Sequence, residues 1–348
     1  MAKRITTKDI ANLAGVSRTT VSFVLNNVAG MRIPEETRQR VLDAARQLDY
    51  HPDSIAQSMA SGQRKIIGFV VRQSTEQAFV DQFLPHVLIG LAQAASEHGY
   101  HTIFEPIAPD RKVGTYDQLI RTRHVDGIIV SGPRNDDEEL PRVHAQGAHI
   151  VLLGQLPHSD VPYVDVDNVG GAMLATQHLL ALGHQRIGLI TNGSPAYTAS
   201  ADRLAGYRQA LEAANISFDE SLVRYGNMTP QSGDEAMAAL LLSPQRPTAV
   251  FVASDTVALG ALQAMKRHKL SIPQDMALVG FDDIPLAGFV EPPLTTIRLP
   301  AFELGWDAAD MLIKLIRGDT SIPTLKVILE TELIVRESCG AYLLNRHD

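Results

Sequence analysis

The chain has 348 residues, 45% of them hydrophobic and 20% charged, and a net charge of −8. That length predicts two or three domains. No apolar run reaches the roughly 18–20 residues of a membrane span, and "MAKRITTKDIANLAG" holds no apolar signal core. The one cysteine, Cys339, excludes internal disulfides and cysteine-based zinc sites, so a cytoplasmic protein with no membrane partner is expected.

The charge is uneven. Residues 1–65 hold ten Lys and Arg against six Asp and Glu, which leaves +4 there and −12 on the remainder. A small basic head on a large acidic body predicts that the head alone approaches an anionic partner.

Thr6-Thr7-Lys8-Asp9 has the spacing of a capping box. Ile10, Leu13 and Ala14 form a short apolar stripe after it. Gly15 can take the left-handed conformation that ends a helix. Val16 can fill the corner, and Ser17 is a good N-cap. Helix, short glycine turn and second helix make a helix-turn-helix. A third amphipathic segment starts at Pro34, with Val41, Leu42, Ala45 and Leu48 inside.

In "SRTTVSFVLN", residues 17–26, Val21, Val24 and Leu25 share one stripe, and Phe23 falls off it beside Arg18, Thr19, Ser22 and Asn26. If the stripe anchors the helix, the opposite face meets DNA. Arg18 can donate two hydrogen bonds to guanine or reach a phosphate. Thr19 and Ser22 can bond phosphate or base edges, and Phe23 can touch a thymine methyl. The alternative is that Phe23 packs on the third helix. The DNA-facing set of the head is Thr6, Ser17, Arg18, Thr19, Thr20, Ser22, Phe23 and Asn26.

"TTKDIANLAGVSRTTVSFVLN" and "IPEETRQRVLDAARQLDYHPDSIAQSMA" resemble the N-terminal domain of the lactose-repressor (LacI/GalR) family of bacterial transcription regulators. "NVAGMRIPEE" is slightly longer than in the best-known members. The resemblance implies a hinge helix that orders when two chains pair on DNA. "DSIAQSMAS" stands in that place, with Ile55, Ala56 and Met59 as an apolar strip on a segment too short to be a stable helix alone. Met59 aligns with a leucine that wedges into the minor groove, a task open to a flexible apolar side chain.

From Lys65 onward, short apolar runs alternate with helical patterns. The runs are "IIGFVV" (66–71), "YHTIFEP" (100–106), "GIIVSG" (127–132), "HIVLLG" (149–154), "RIGLIT" (186–191), "AVFVAS" (249–254) and "ALVGFD" (277–282). Helical patterns cover 84–98, 168–182, 200–214, 230–242, 256–268 and 301–317. Apolar strands alternating with helices predict parallel sheets covered on both faces, in two doubly wound lobes. Ligands bind beyond the carboxyl ends of such strands, which points to Arg72, Gln73, Arg134, Gln155, Asn192, Ser254, Asp255, Asp282 and Asp283.

Enzyme signatures are missing: there is no dinucleotide fingerprint, phosphate loop, zinc-protease helix or nucleophile elbow. The twelve histidines are scattered, and His98 and His101 are read as surface residues rather than metal ligands. No metal, cofactor or catalysis is expected.

"YVDVDNVGGAMLATQHLLALGHQRIGLIT", "ASADRLAGYRQAL", "VFVASDTVALGALQAM" and "ALVGFDDIPLAGFVEPPLTTIRLPAFELG" extend the resemblance over nearly the whole chain. They are similar to the family's effector-binding core, itself similar to periplasmic sugar-binding proteins. The fold implied is α/β: a three-helix helix-turn-helix head plus hinge helix, then a two-lobed periplasmic-binding-protein-like core with two doubly wound parallel sheets. The head is expected over 1–52, the hinge and linker over 53–64 and the core over 65–348. Lobe 1 would take about 65–161 and 292–322, and lobe 2 about 162–291 and 323–340. The resemblance makes Arg203 the arginine that grips the effector and Asp282 the carboxylate that bonds ligand hydroxyls. Ser254 stands where many members have asparagine. Gly154 replaces an aspartate and Met228 an aromatic residue of sugar-binding members. Asp81, Phe79, Phe83 and Tyr197 are candidates to compensate. Each of these residues could instead be plain surface or core.

The function expected is a ligand-responsive DNA-binding regulator, a repressor of carbohydrate-utilisation genes. It would bind a palindromic operator as a homodimer, with a small polyhydroxylated effector, a sugar, in the cleft between lobes. The chain's end, "CGAYLLNRHD", carries no heptad stripe, which favours dimer over tetramer. The alternatives are a purine or nucleoside corepressor on the same architecture, or a soluble sugar-binding module. The sequence leaves open the effector, the sign of its action and the operator.

Overall fold

A computed structural model describes residues 5–25, 31–50, 64–110, 114–122 and 125–344. Residues 1–65 and 66–348 form separate compact units.

In the head, helix α1 (Thr7–Ala14) starts at Thr6, whose backbone N–H donates to Asp9 Oδ2 at 2.8 Å. Gly15, at φ +67°, ends it, a left-handed turn that glycine enters without a Cβ clash. Helix α2 (Arg18–Leu25) follows. Its N-cap is Ser17, whose Oγ accepts from Thr20 N at 3.1 Å. Helix α3 (Glu35–Gln47) completes the unit. Ile10, Ala11, Ala14, Val21, Val24, Val41, Ala44 and Ala45 are its core. Leu13, expected on that stripe, is 47% exposed; Ala11 takes the inward place, because eight residues of α1 offer only a narrow inner face.

The N-cap is testable. Ser17→Ala should cost about 1 kcal/mol and speed amide exchange across 18–25 about fivefold. Ser17→Asp, also a capping residue, should not. Equal exchange in all three proteins would mean that Ser17 does not cap α2.

The body holds two parallel sheets. The first has the order β11 (Lys326–Leu329), β5 (Tyr163–Val166), β4 (Ile150–Leu153), β3 (Gly127–Ser131), β1 (Ile66–Val71) and β2 (His101–Pro106). The second has the order β7 (Val223–Tyr225), β6 (Ile187–Thr191), β8 (Ala249–Val252) and β9 (Ala277–Val279). All pairings within both are parallel. Strands β10 (Thr296–Arg298) and β12 (Glu332–Ile334) form an antiparallel pair, and β10 bridges toward the second sheet through Asp282 and Arg298.

Helices α4 (Thr75–Val80), α5 (Leu84–Glu97), α6 (Thr115–Arg121), α7 (Glu139–Ala145) and α12 (Ala301–Ile316) belong to the first lobe. Helices α8 (Asn168–Ala181), α9 (Thr198–Ala213), α10 (Pro230–Leu241) and α11 (Asp255–Arg267) belong to the second. A last short helix, α13 (Ala341–Leu344), follows β12.

The lobe boundaries differ from those expected. Strands β5 and β11, assigned above to lobe 2, sit in the first sheet, because β5 pairs with β4 on one side and β11 on the other. Strand β10, assigned to lobe 1, adjoins the second sheet. The chain therefore crosses between lobes at 166–168, 298–301 and 329–332.

Candidate functional site

On the head, α2 turns one face inward through Val21 and Val24. Ser17, Arg18 and Thr19 are exposed, as is Thr6, while Thr20, Ser22 and Phe23 are half-buried. Phe23 lies outside the head's apolar cluster, which takes in Val16, Leu25, Ile33, Leu42, Leu48 and Tyr50 around its core. A half-buried Phe23 outside that cluster, beside exposed Arg18 and Thr19, has the layout of a recognition helix. Asn26, Ile55, Ala56 and Met59 lie outside the described residues, as does most of the expected hinge.

In the body, a cavity of about 120 Å3 lies between the lobes at the carboxyl ends of the strands. Asp81, Phe83, Arg203, Ser254 and Asp282, all singled out in the sequence, line it. Gly154 and Met228 line it too. Gly154 has φ +112°, and a Cβ there would fall 2.8 Å from Pro133 Cδ, so an aspartate could not stand in its place without moving that proline.

Arg203 organises the floor. It is 7% exposed, and its Nε donates to Asn168 Oδ1 at 2.9 Å and its Nη1 to the Ala253 carbonyl at 2.7 Å. Its guanidinium lies 3.9 Å from the centre of the Phe281 ring and 3.7 Å from Asp282 Oδ1. Burial pulls the Arg203 pKa down, and Asp282, Asp165, Asp202 and Asp81 pull it back up. The arginine stays charged, since a guanidinium is the last side chain to give up its proton.

Asp282 sits at φ +123°, a conformation that costs a non-glycine residue free energy and must be held by its surroundings. Asp255, fully buried at the start of α11, does the holding. It accepts from Phe281 N at 2.9 Å, Ile284 N at 3.1 Å and Thr296 Oγ1 at 2.7 Å. Asp282 N meanwhile donates to the Ile297 carbonyl at 2.7 Å. Burial pushes the Asp282 carboxyl well above the usual range, opposed chiefly by Arg203. Burial also raises Asp81, against a hydrogen bond from Gln73.

Two predicted residues are not at the cavity. Phe79 is 72% exposed on α4 and meets Phe104 edge-on at 6.2 Å. The helix ends at Val80, so Phe79 and Phe83 do not share a face. Tyr197 is buried but does not line the cavity: its hydroxyl donates to the Arg72 carbonyl at 2.6 Å, and its ring centre lies 5.1 Å from the Arg134 guanidinium.

Among the polar lining residues absent from the predicted set are Gln73, Asp165, Asn168 and Asn192. Asp165 accepts from Val166 N and Asn168 Nδ2 at Oδ1 and from Gln155 Nε2 at Oδ2. Burial pushes its pKa up to about 6. Gln73 Nε2 donates to Asp81 Oδ2 at 2.9 Å. Gln73 Oε1 and Asn192 Oδ1 are buried without a partner among the described residues, one at the end of β1 and one at the end of β6. The strand-end rule pointed to both. Asp165 and Asn168 stand where β5 crosses between lobes, which no local pattern marks. Among the described residues no cluster of three His, Cys, Asp or Glu could hold a metal, and no helix is long and apolar enough to cross a membrane.

A helix-turn-helix unit followed by a two-lobed, periplasmic-binding-protein-like body defines a class, that of DNA-binding transcriptional regulators. Residues 6–53 match the pattern of the bacterial regulatory proteins of the lacI family, and 176–339 that of the periplasmic binding protein-like domain. The regulator CelR of Thermobifida fusca is 35% identical over 97% of this chain and 98% of its own. A solved structure of a CelR–cellobiose complex superposes with a TM-score of 0.72 at 34% identity, covering 96% of this chain and 100% of that one. The lac repressor dimer bound to operator and the anti-inducer ONPF gives 0.83 at 27% identity, covering 97% and 100%. The chain belongs to the lacI family and is a DNA-binding transcriptional regulator.

Proposed function

We propose that the protein is a homodimeric repressor of carbohydrate-utilisation genes, working in the cytoplasm on a palindromic operator. Its ligand is a small neutral polyhydroxylated molecule, a sugar, in the interlobe cavity. The observation that carries this reading is the cavity's balance of acceptors over donors. Asp81, Asp165 and Asp282 line it with Gln73 and Asn192, whose amide oxygens lack partners. The one cation lining it among the described residues, Arg203, already spends two donors on the protein. Such a wall calls for a ligand rich in hydroxyl donors. A phosphorylated ligand would bring its charge against three buried carboxyl groups, whose raised pKa values mark a cavity that disfavours negative charge.

The CelR–cellobiose complex supports a sugar, and the lac repressor dimer on its operator supports two heads on one site. The cavity, about 120 Å3, is smaller than the roughly 300 Å3 at the low end of ligand pockets. A disaccharide would enter with the lobes apart. The ligand changes DNA affinity by the difference in its affinity for the two lobe arrangements.

The test is selection of duplexes from a random library at physiological salt, with and without cellobiose or glucose. A palindrome whose recovery changes with sugar is expected. A single asymmetric site, or no site under any condition, would overturn the reading. On the selected palindrome, Arg18→Ala should weaken binding at least tenfold and leave random DNA nearly unaffected. Equal loss on both would confine Arg18 to phosphate contact.

A further inference from the structure

The segment between β1 and α5 belongs to the first lobe by sequence but fastens to the second. Gln73 Nε2 reaches Met228 Sδ at 3.0 Å. Gln82 N donates to Thr256 Oγ1 at 3.2 Å. Between them Gln77, only 8% exposed, does two things with one amide. Its Oε1 accepts from Ser74 N at 2.7 Å, which caps α4. Its Nε2 donates to Asn227 Oδ1 at 2.7 Å and to the Asn227 carbonyl at 3.2 Å. The same segment supplies Asp81 and Phe83 to the cavity wall.

We propose that residues 74–82 form a strap latched to the second lobe through Gln77 and Asn227, and that Gln77 is the positioning residue that holds Asp81 and Phe83 over the cavity. The inference concerns lobe closure and stands whichever ligand the cavity takes. Three features support it. A buried polar group is kept where it is fully bonded, and Gln77 satisfies both ends of its amide with partners on different lobes. The cap bond lies within the strap, so it survives opening while the Asn227 bonds break. Asn227 itself is exposed and held in place by Ser232 Oγ, which accepts from its N–H at 2.8 Å. Opening therefore exposes Gln77 to water at one defined pair of contacts, which sets a discrete closed state rather than a graded one.

Other bonds also join the lobes. On a separate margin, Asn135 N donates to the Ala196 carbonyl at 2.7 Å and Tyr197 to Arg72. Thr198 also donates from N and Oγ1 to the Pro133 carbonyl at 3.2 and 3.3 Å, but the strap's bonds are the ones that hold the segment bearing Asp81 and Phe83. This distinguishes a positioning role from general adhesion between lobes.

The test is a double-mutant cycle read by distance. Asp110 and Gln231 are exposed on either side of the groove beside the strap. Cysteines there take spin labels in the full chain, and buried Cys339 does not compete. Asn227→Asp still accepts from Gln77 and should leave the closed distance unchanged. Gln77→Glu keeps the cap acceptor and can still take a donor from a turned Asn227 amide, so it should shift the population only slightly. The double variant sets two carboxylates face to face, and the closed-to-open ratio should fall at least tenfold beyond the product of the single effects. Additive changes, or a double variant as closed as the parent, would overturn the latch. Should the double variant fail to fold, Asn227→Leu removes the side-chain acceptor at an exposed site. It should open the lobes measurably, and an unchanged distance in it would equally end the proposal.

Discussion

Replacing Arg203 by methionine is expected to abolish the response of DNA binding to ligand. It should also destabilise the 66–348 unit by on the order of 3–5 kcal/mol at pH 8. Methionine nearly fills the space, so cavity formation is a minor part of the loss. The larger part is electrostatic: Asn168 Oδ1 and the Ala253 carbonyl lose their donors, and buried Asp282 loses the cation 3.7 Å away. The pH dependence gives the cause away. Burial already raises the Asp282 carboxyl, and Arg203 is the main influence lowering it, so its removal raises that carboxyl further. A carboxyl whose folded pKa exceeds its unfolded value holds its proton more tightly when folded. The variant's stability should then fall as pH rises from the unfolded value near 4 through the raised folded value. At the acid end Asp282 is neutral, and its part of the penalty vanishes. Adding Asp282→Asn should restore much of the lost stability at pH 8, a non-additivity expected of contacting groups. Thermal unfolding of the two variants at pH 5 and pH 8 checks this. A single variant with the same deficit at both pH values, or a double variant no more stable than the single, would show that the pair is not coupled as described.

The parts of this molecule that sequence revealed are those where one physical demand dominates a contiguous stretch. The head was legible because cap, glycine turn and apolar stripe occupy adjacent residues: Thr6, Gly15 and Ser17 all stand at helix ends as their chemistry requires. The long buried strands were legible for the same reason, since "IIGFVV" has no polar interruption and is buried at all but its first residue. Strand β5 was missed because Asp165 breaks its apolar run. Strand β11 was missed because it lies at an edge, with burial alternating along it. Each then shifted a lobe boundary, because β5 pairs into the first sheet just before the first crossing and β11 just before the third. The cavity follows the same division. Asp282 and Ser254 lie where strands end, and resemblance marked Arg203. Tyr197 and Phe79 are aromatic residues at plausible distances in sequence, but which way a ring turns depends on partners far along the chain. Tyr197 found the Arg72 carbonyl, 125 residues away, and Phe79 found Phe104. Asp165 and Asn168 matter only because the crossing at 166–168 brings them under Arg203.

Asp165→Asn should make the ligand-free body more stable at pH 8, and the gain should disappear near pH 4. In the parent, burial raises this carboxyl from 3.8 to about 6, so keeping it ionised costs on the order of 2–3 kcal/mol at high pH. The direction follows from linkage: the folded parent holds the proton more tightly than the unfolded chain, so its stability declines between about 4 and 6 and is level above. Asparagine has no proton to lose and no such decline. Its oxygen can keep the bonds from Val166 N and Asn168 Nδ2. Its amide nitrogen then faces Gln155, which must turn its own amide to offer Oε1. A gain of about 1–2 kcal/mol remains after that adjustment. Melting temperatures of parent and variant across pH 4–8 decide the matter: a difference that does not change with pH would mean that Asp165 carries no desolvated charge. Activity should move the other way. An ionised Asp165 is a stronger acceptor for a ligand hydroxyl than an amide oxygen, so the more stable variant should bind its sugar more weakly. Stability given up to keep a buried carboxylate charged is a familiar exchange at binding sites, and here one substitution separates its two sides. Sugar binding by the parent should favour the ionised form and release a proton near pH 6, seen as a buffer-dependent heat in titration calorimetry with cellobiose. The variant should show no such dependence from this position, and parent heats that are the same in every buffer would place the ligand out of reach of Asp165.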